Sequence, residues 1–338
     1  MGPYHSFRSQ LAPIASTLLQ QKEDFATLTP SISGLFKLLT EIAGLNEYSP
    51  SERTPVLTAS GKAIGTYWAS MCIQDMLRTR RFVRGLFEAI TAARIQFPDR
   101  PVHVLYAGSG PFGTLSLPVM CDMQPSEVQF TFLEINPISA EMLQKTLHAL
   151  GFEAFVREII QTDASQYLPA SEVHILLTET MQHTLIKEPQ VAITQHLVPF
   201  LHPKGFLVPE QIVIRAGLLR PAMAMTRLMD FTHTPEHYIR YLKDVFILNK
   251  ETASAFSSSF PVVSVVIDPL DRLKFPELNL FTLIHIFDNI MLSPWESGLT
   301  LPKRICHLDP QPSPNESHTF QYQLSHLPGF IHQVNPVS

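Results

Sequence analysis

One strand that stops at a glycine turn constrains the fold of this chain more than any other feature. The segment at 101–110 reads P-V-H-V-L-Y-A-G-S-G, so a run of mostly apolar residues leads directly into Gly108-Ser109-Gly110. Glycine lets the backbone turn tightly and come close to a ligand, and a helix expected from about Thr114 would point its amino terminus at that ligand. A short G-x-G match alone is common in ordinary turns, so the strands that follow decide its meaning.

Two further strands each end beside a carboxylate. F-T-F-L-E ends at Glu134, 24 residues beyond Gly110, and I-I-Q-T leads into Asp163. A doubly wound α/β unit has a carboxylate at about the first of these positions, where it accepts the hydroxyl groups of a ribose. The glycine turn and Glu134 together therefore predict an α/β domain of Rossmann-like topology that binds a nucleotide.

Motifs on both sides of this turn resemble those of a known family. The hairpin T-E-T-M-Q-H-T-L-I-K-E contains Glu179 and Glu188 and is similar to S-E-x-M-G-x-x-L-L-x-E. Upstream, D-M-L-R-T-R-R-F at 75–82 is similar to D-x-x-R-T-x-x-Y. With the glycine turn, these motifs resemble the S-adenosylmethionine site of class I methyltransferases, and most of all that of the protein arginine methyltransferases. The resemblance covers roughly 69–209.

The resemblance implies S-adenosylmethionine as the cofactor and gives several residues a role in binding it. Arg78 is expected to hold its α-carboxylate, which suits the fixed fork of a guanidinium, and Asp163 is expected to accept from the adenine amino group. The alternatives are a surface arginine paired to an acid and a helix-capping aspartate. The cofactor-binding residues expected on this basis are Arg78, Gly108, Ser109, Gly110, Glu134, Asn136, Asp163, Ala164, Glu179 and Met181.

In the resembled family the two glutamates of the hairpin grip a substrate guanidinium, so Glu179 and Glu188 are expected to bind a cationic or amine-bearing substrate. The hairpin departs from the family at Gln182, which replaces a glycine, and at His183, which serves either as a base or as polar filler. Tyr106 stands where the family has an acid, and it either fills the core or faces the sulfonium. The expected catalytic residues are Glu179, Glu188, His183 and Tyr106, with no metal ion.

The chain divides into three parts in this interpretation. Residues 1–60 form a helical cap or lid, residues 61–212 form the cofactor domain, and residues 213–338 form a mostly antiparallel β domain with a helical insert near 223–248. The segment S-P-W-E lies where the family has a Thr-His-Trp loop, and only Trp295 is kept. The altered loop and hairpin favour a small substrate over a protein tail.

Two helical features are predicted in more detail. Pro30 is expected to separate two helices in the first part, because proline lacks a backbone N–H and ends most helices. One long helix is expected from about 66 to 93. It carries the basic run Arg80, Arg81 and Arg84, for which a solvated face is the favoured interpretation.

Composition limits which partners this protein is expected to bind. A net charge of −5 argues against nucleic acid as the main partner, because a protein surface that binds the phosphate backbone usually has an excess of basic residues. Three cysteines, Cys72, Cys121 and Cys306, are too few and too scattered for a disulfide framework or a zinc cluster, and this favours a reducing compartment. Without an apolar run of about 18 residues or a signal core, we expect a cytoplasmic protein with no membrane partner. A homodimer is among the states that the sequence allows.

The function expected from these features is methyl transfer from S-adenosylmethionine to a small amine or amino-acid-like substrate, with N-methylation favoured. One alternative keeps the cofactor and closes its own α-amine on its side chain, which gives azetidine-2-carboxylate and methylthioadenosine. A second alternative is a binding module that kept the fold without catalysis. The products formed with and without an acceptor separate the first two.

Overall fold

A computed structural model describes residues 3–226, 235–255, 260–309 and 316–336 of the protein. Its helices are α1 (Pro3–Leu19), α2 (Phe25–Ala43), α3 (Pro50–Arg53), α4 (Thr66–Met71), α5 (Met76–Gln96), α6 (Leu117–Asp122), α7 (Pro137–Leu150), α8 (Gln190–Leu197), α9 (Pro221–Thr226), α10 (Pro235–Tyr238), α11 (Lys250–Ala255) and α12 (Pro269–Lys274). Its strands are β1 (Val56–Thr58), β2 (Gly61–Ala63), β3 (Val102–Ala107), β4 (Val128–Glu134), β5 (Val156–Gln161), β6 (Val173–Thr178), β7 (Leu201–Val208), β8 (Gln211–Leu219), β9 (Ile239–Asn249), β10 (Val263–Ile267), β11 (Glu277–Phe287), β12 (Ile290–Leu292), β13 (Lys303–His307), β14 (Glu316–Gln323) and β15 (Gly329–Pro336).

Five parallel strands in the order β5-β4-β3-β6-β7 form the first sheet. β3 and β6 are buried along their whole length, which is why their sequences are nearly continuous apolar runs rather than alternating ones. β3 pairs with β4 on one side and with β6 on the other, so the direction of winding reverses there. In an open α/β sheet, the crevice outside the carboxyl ends of the strands at such a reversal is the usual place for a ligand.

The second half of the chain is mostly antiparallel β structure. β12, β11, β8 and β9 follow one another in a sheet in which β13 also pairs with β11, and β10, β14 and β15 form a separate three-stranded sheet. The parallel sheet followed by this antiparallel region confirms the predicted fold class. α5 lies between the two halves, and its Gly85 sits so close to β11 that an added Cβ would be 2.4 Å from the Cγ2 atom of Ile286.

The predicted helical insert near 223–248 is largely wrong. α9 and α10 are short helices, residues 227–234 lie outside the described ranges, and the eleven-residue strand β9 begins at Ile239. β9 pairs with the whole of β8, from Leu219 opposite Ile239 to Gln211 opposite Asn249. The partner strand therefore overrides a local sequence pattern that is compatible with either structure.

The break between the first two helices falls at 20–24 rather than at Pro30. Asp24 caps α2 by accepting a hydrogen bond from the backbone N–H of Ala26 at 3.1 Å. Pro30 lies inside α2, where it removes a single backbone hydrogen bond. The apolar residues of both helices, such as Leu18 and Leu35, are fully buried, so packing keeps α2 helical across the proline.

The single long helix predicted from 66 to 93 is broken at Asp75. α4 passes into a 3-10 turn at Cys72–Gln74, and Asp75 then caps α5 by accepting from the backbone N–H of Arg78 at 3.3 Å. The other carboxylate oxygen of Asp75 accepts from the Ser297 hydroxyl at 2.6 Å and from the backbone N–H of Gly298 at 2.8 Å. A contact with the far end of the chain thus sets the start of α5.

The arginines of α5 do not form the solvated face that was predicted. Arg80 is 2% exposed and donates to the carbonyl of Gln20, beyond the end of α1. Arg84 donates to the carbonyl of Leu19, and Arg81 binds the carboxylates of both Glu23 and Glu296. The basic run therefore ties the end of α1 and the segment after β12 to α5. Within the described ranges, no helix is long and apolar enough to cross a membrane.

Candidate functional site

A cavity of about 670 Å³ opens at the carboxyl ends of β3, β4 and β6, where the winding of the parallel sheet reverses. The strand ends form its floor, and the segment from Thr58 to Thr79, which contains β2 and α4, covers it from one side. The hairpin after β6 and the turn at Gly298–Thr300 close the other side. Cavities of about 300–1,000 Å³ are typical of small-molecule sites.

The glycine turn has the conformation that its sequence requires. Gly108 and Gly110 have φ angles of 73° and 65°, in the region that favours glycine. Glu134 is buried and binds the turn directly, because its Oε2 atom accepts from the backbone N–H of Gly110 at 2.8 Å. Its Oε1 atom accepts from the backbone N–H of Asn136 at 2.8 Å. Both oxygens keep a lone pair for a ligand hydroxyl.

Replacing Gly108 by alanine is expected to weaken ligand binding and stability together. The new Cβ atom would lie 2.1 Å from Cγ2 of Thr180, on the hairpin after β6, so the turn or the hairpin has to move. Gly151→Ala is the matched control, since Gly151 has φ 68° but no atom within 4 Å of an added Cβ. The control is expected to lose about 1–2 kcal/mol in the free energy of unfolding, the usual cost of a left-handed non-glycine residue. An equal or smaller loss for Gly108→Ala in urea unfolding would contradict this prediction.

Three further residues expected to bind the cofactor differ in their position relative to the cavity. Asp163 and Ala164 line the cavity, and the Oδ1 atom of Asp163 accepts from the backbone N–H of Ser165 at 2.9 Å, which makes a turn rather than a helix cap. Asn136 does not line the cavity. Its side chain caps α7, accepting from the backbone N–H of Ile138 at 3.0 Å. The amide oxygen of Asn136 is thus used at the start of α7, and the expected contact between Asn136 and a cofactor stays a prediction.

Arg78 and Glu179 form a buried ion pair across the cavity. The side chains are 14% and 4% exposed, and the Nη2 atom of Arg78 donates to Oε2 of Glu179. Nη1 of Arg78 donates to the carbonyl of Cys72 at 3.3 Å, in the 3-10 turn before α5. A guanidinium has five N–H donors, so Arg78 keeps donors for a further carboxylate. Among the described residues, Oε1 of Glu179 has no hydrogen-bond partner.

The hairpin that carries the two glutamates has a strained backbone. Thr184, Leu185 and Lys187 all have positive φ angles, 56°, 55° and 66°, although none of them is glycine. Such conformations cost about 1–3 kcal/mol each and persist where neighbouring structure enforces them. Hydrogen bonds from the β-rich half and from β2 hold these residues in place. The backbone N–H of Thr184 donates to Oγ1 of Thr282 (2.8 Å), and the hydroxyl of Tyr322 donates to the carbonyl of Leu185 (2.7 Å). The backbone N–H of Lys187 donates to the carbonyl of Pro328 (2.9 Å), and the carbonyl of Lys187 accepts from the backbone N–H of Lys62 (2.8 Å).

Glu188 lies at the end of this hairpin and lines the same cavity as Glu179. Burial raises the pKa of Glu188 above its ordinary value of 4.5, while the Gln182 amide and the positive charges of Arg78 and Lys62 oppose that rise. Its carboxylate is therefore costly to ionise in the ligand-free protein. A cationic ligand would remove this cost by pairing with it.

His183, Tyr106 and Met181 also line the cavity. Burial and the nearby charges of Lys303 and Lys187 lower the pKa of His183, so its imidazole is neutral at pH 7. Its Nδ1 atom is buried and lacks a partner in the described part of the chain. Tyr106 is 4% exposed, and burial raises the pKa of its hydroxyl far above the ordinary value, so this group stays protonated.

Two other expectations concern residues that lie away from the cavity. Trp295 packs against Tyr238 and Phe281, with ring centroids 5.9 and 6.0 Å apart, and it is the neighbouring Gly298 and Leu299 that line the cavity. Over the described ranges, the cavity lining begins at Thr58 and includes no residue of α1 or α2. Those helices contact α5, α6 and α7. Thr58 is the residue of the predicted cap or lid that lines the cavity in the described ranges, and the role of that part as a lid stays a prediction.

The sequence analysis missed three contributors to the site. Lys62 on β2 lines the cavity and lowers the pKa of Glu188. Thr180 contacts the glycine turn and is held by Gln190, whose Oε1 atom accepts from the backbone N–H of Thr180 at 2.8 Å. An isolated lysine in a two-stranded hairpin carries no local signal. Gln190 lies two residues after Glu188, outside the hairpin motif, and its burial is visible only in the structure.

Five carboxylates line the cavity, against two side chains that carry a fixed positive charge. The acids are Asp75, Glu134, Asp163, Glu179 and Glu188, and the bases are Lys62 and Arg78. Backbone N–H groups offset the first three acids, whereas one oxygen of Glu179 is unpartnered and Glu188 is buried. The arrangement can therefore bind a cation next to a nucleoside-sized ligand.

Comparisons with known proteins identify the fold. No protein-family model matches the sequence, and no curated protein matches it. Among solved structures, the Trypanosoma brucei PRMT1 enzyme-prozyme heterotetrameric complex with AdoHcy is similar with a TM-score of 0.52 and 11% identity, over 79% of this chain and 92% of that chain. A crystal structure of PRMT6 with SAH gives a TM-score of 0.57 and 12% identity, over 78% and 98%. The likeness confirms the predicted class I methyltransferase fold of the arginine-methyltransferase type.

Proposed function

We propose that this protein is an S-adenosylmethionine-dependent methyltransferase that acts on a nitrogen of a small amine or guanidine, such as the side chain of a free amino acid. The observation that carries this proposal is the charge of the cavity. The side chains of Glu179 and Glu188 are both buried there, Arg78 pairs with Glu179 and acts on Glu188 through its charge, and Oε1 of Glu179 has no partner among the described residues. A cationic acceptor supplies the missing charge and hydrogen-bond donors.

The cavity has groups suited to each part of the cofactor. S-adenosylmethionine supplies a methyl group on a sulfonium sulfur and ends in an α-carboxylate. Glu134 is the proposed acceptor for the ribose hydroxyls, and Arg78 is the proposed donor to the carboxylate. Asp163 is the proposed acceptor for the adenine amino group, on the side of the cavity next to β5. The hydroxyl of Ser109, buried in the glycine turn and without a hydrogen-bond partner among the described residues, offers a further hydrogen bond.

Bound S-adenosylhomocysteine, the demethylated cofactor, in both structural neighbours supports the choice of cofactor. The fold alone does not choose the acceptor, so the proposal of a small acceptor depends on this chain's own residues. A cavity of about 670 Å³, covered by β2 and α4, suits a cofactor and a compact second ligand. Trp295 is packed into a separate apolar cluster with Tyr238 and Phe281, away from the cavity.

The proposed contribution of the protein is orientation and proton transfer. Glu179 and Glu188 fix the acceptor nitrogen with its lone pair toward the methyl group, and such positioning supplies much of the rate in displacement reactions. His183 lines the cavity, its pKa is lowered by burial, and its Nδ1 atom has no hydrogen-bond partner in the described ranges, so it is our proposed acceptor for the proton that the nitrogen loses.

The test is a product analysis with the full-length protein. It is incubated with S-adenosylmethionine alone and with a panel of free amino acids that carry amine or guanidine side chains, including L-arginine. We expect S-adenosylhomocysteine only when an acceptor is present, together with an acceptor that is one methyl group heavier in mass spectrometry. An arginine-rich peptide serves as the comparison acceptor.

Three outcomes would overturn the proposal, each in a different way. Methylthioadenosine formed without an acceptor would favour the intramolecular cyclisation instead. Methylation of the peptide with no small acceptor would contradict the substrate class. Absence of S-adenosylmethionine binding in calorimetry would favour a non-catalytic module.

A homodimer stays a prediction, which the molar mass from light scattering tests directly.

A further inference from the structure

Three potential metal ligands meet in the β-rich half, far along the chain from the cavity described above. Cys306 lies on β13, His318 on β14 and His332 on β15. One donor atom of each residue lies within 4.8 Å of the others, and Nδ1 of His318 is 2.9 Å from Nε2 of His332. Because β13 belongs to the larger antiparallel sheet and β14 and β15 to the smaller one, the cluster bridges the two sheets.

The strand pairing directs both histidines to the same side of the smaller sheet. His318 is opposite Val334, and Phe320 is opposite His332, so the two imidazoles are diagonal neighbours on one face. Cys306 reaches them from the other sheet and is half-buried, whereas His318 is 1% exposed. Sulfur and two imidazole nitrogens in a partly buried position are ligands that zinc prefers.

A carboxylate lies near the ring nitrogen of His318 that faces away from His332. Its Nε2 atom, on the far side of the ring from His332, has no hydrogen bond among the described residues but lies 3.8 Å from the carboxylate of Glu316. A metal-bound histidine usually directs its other ring nitrogen to a carboxylate, which fixes the tautomer. Glu316 in turn lies 3.2 Å from Arg272, so this arginine's positive charge is offset by an acid.

From this geometry we infer that Cys306, His318 and His332 bind one zinc ion, with Glu316 orienting His318. The imidazole nitrogens of a tetrahedral site with zinc–nitrogen bonds of about 2.0–2.1 Å lie about 3.3 Å apart, and each lies about 3.6 Å from a thiolate sulfur. The two imidazole nitrogens are now 2.9 Å apart, and the thiol sulfur lies within 4.8 Å of each ring. Side-chain rotations that move these atoms by about an ångström bring them to the distances of a zinc site. The fourth position is open to water. The sequence analysis expected no metal because the ligands come from three strands without a local motif.

The test uses the full-length chain, produced without a histidine tag in zinc-supplemented medium and purified without chelators. We expect one equivalent of zinc per chain by elemental analysis and a fall in melting temperature on chelation. Cys306→Ser and His332→Asn are expected to lose the zinc. Cys121→Ser is the matched control, since it removes another half-buried thiol and should retain it. Glu316→Gln is expected to bind zinc about 10- to 100-fold more weakly, as is usual for such partners.

A spectroscopic titration keeps the inference testable if a variant does not fold. Cobalt(II) added to the chelated wild-type protein is expected to give the charge-transfer band of a cobalt–thiolate bond, which Cys121→Ser keeps. Zinc-free wild-type protein that also shows no such band would overturn the site, as would a zinc content equal in wild type and Cys306→Ser. One equivalent of copper in place of zinc would overturn the choice of metal.

Discussion

A Glu188→Gln variant is expected to be more stable than the wild type at neutral pH and to lose most of its activity. Burial raises the pKa of Glu188, so the ionised side chain destabilises the ligand-free protein, and a neutral amide of the same shape removes that cost. The amide also removes a charge-assisted hydrogen bond to a cationic acceptor. Such bonds contribute about 1.5–3 kcal/mol, so kcat/KM is expected to fall about 10- to 150-fold. Urea unfolding and methyl transfer to the best amino acid of the panel measure the two effects.

The dependence on pH identifies the cause of the added stability. The pKa of Glu188 is raised in the folded state. The stability that its protonated carboxyl group contributes to the folded protein is therefore fully present below the unfolded pKa of 4.5 and is lost as the pH rises through the folded pKa. The advantage of Glu188→Gln should therefore be absent below pH 4.5 and grow above it. Glu141→Gln is the control, because Glu141 is 67% exposed and, among the described residues, forms its ion pair with Lys145 on the helix surface. A variant less stable than the wild type at neutral pH would contradict the argument.

Arg78→Ala is expected to be the most destabilising single change in the site. It leaves Glu179, only 4% exposed, without its ion-pair partner, and breaking a buried pair on one side costs about 3–5 kcal/mol. The double variant Arg78→Ala/Glu179→Ala removes both charges and should lose less than the sum of the single changes. Urea unfolding at neutral pH measures the three free energies, and calorimetry is expected to detect no S-adenosylmethionine binding in any of them.

The same helix offers a matched control for that cycle. Arg94 is also on α5 and also pairs with an acid, Glu127, but the two side chains are 43% and 26% exposed. Arg94→Ala is expected to cost no more than about 1 kcal/mol, the usual range for an exposed pair. Strictly additive losses for Arg78→Ala and Glu179→Ala would show that the two side chains do not stabilise each other.

The parts of the site that the sequence predicts are those defined by short segments. The glycine turn, Glu134 and the glutamate hairpin each follow one buried strand, and parallel strands bring their carboxyl ends to one edge of the sheet. Residue type and order along the chain are then enough to place these groups together. Arg78 and the glutamates of the hairpin were identified from the resemblance of short motifs to those of a known family.

The parts that were missed or wrong depend on contacts between distant segments. The helix break at Asp75 follows from hydrogen bonds to Ser297 and Gly298, more than 200 positions later. Lys62 reaches the cavity because the β1–β2 hairpin folds over it, a placement that no periodicity reveals. Asn136 caps α7 just before Pro137, a role that the sequence analysis did not assign to it, and its expected contact with the cofactor stays a prediction.

The contacts that hold the glutamate hairpin also determine when the site is completed during synthesis. The parallel sheet is finished at Val208, yet the hairpin is fastened by Tyr322 and by the carbonyl of Pro328. At the usual translation rate of 5–20 residues per second, a nascent chain needs about 6–24 s to add the 120 residues between Val208 and Pro328. During that interval the nascent chain contains every strand of the parallel sheet, whereas the residues that fasten the glutamate hairpin have still to be synthesised.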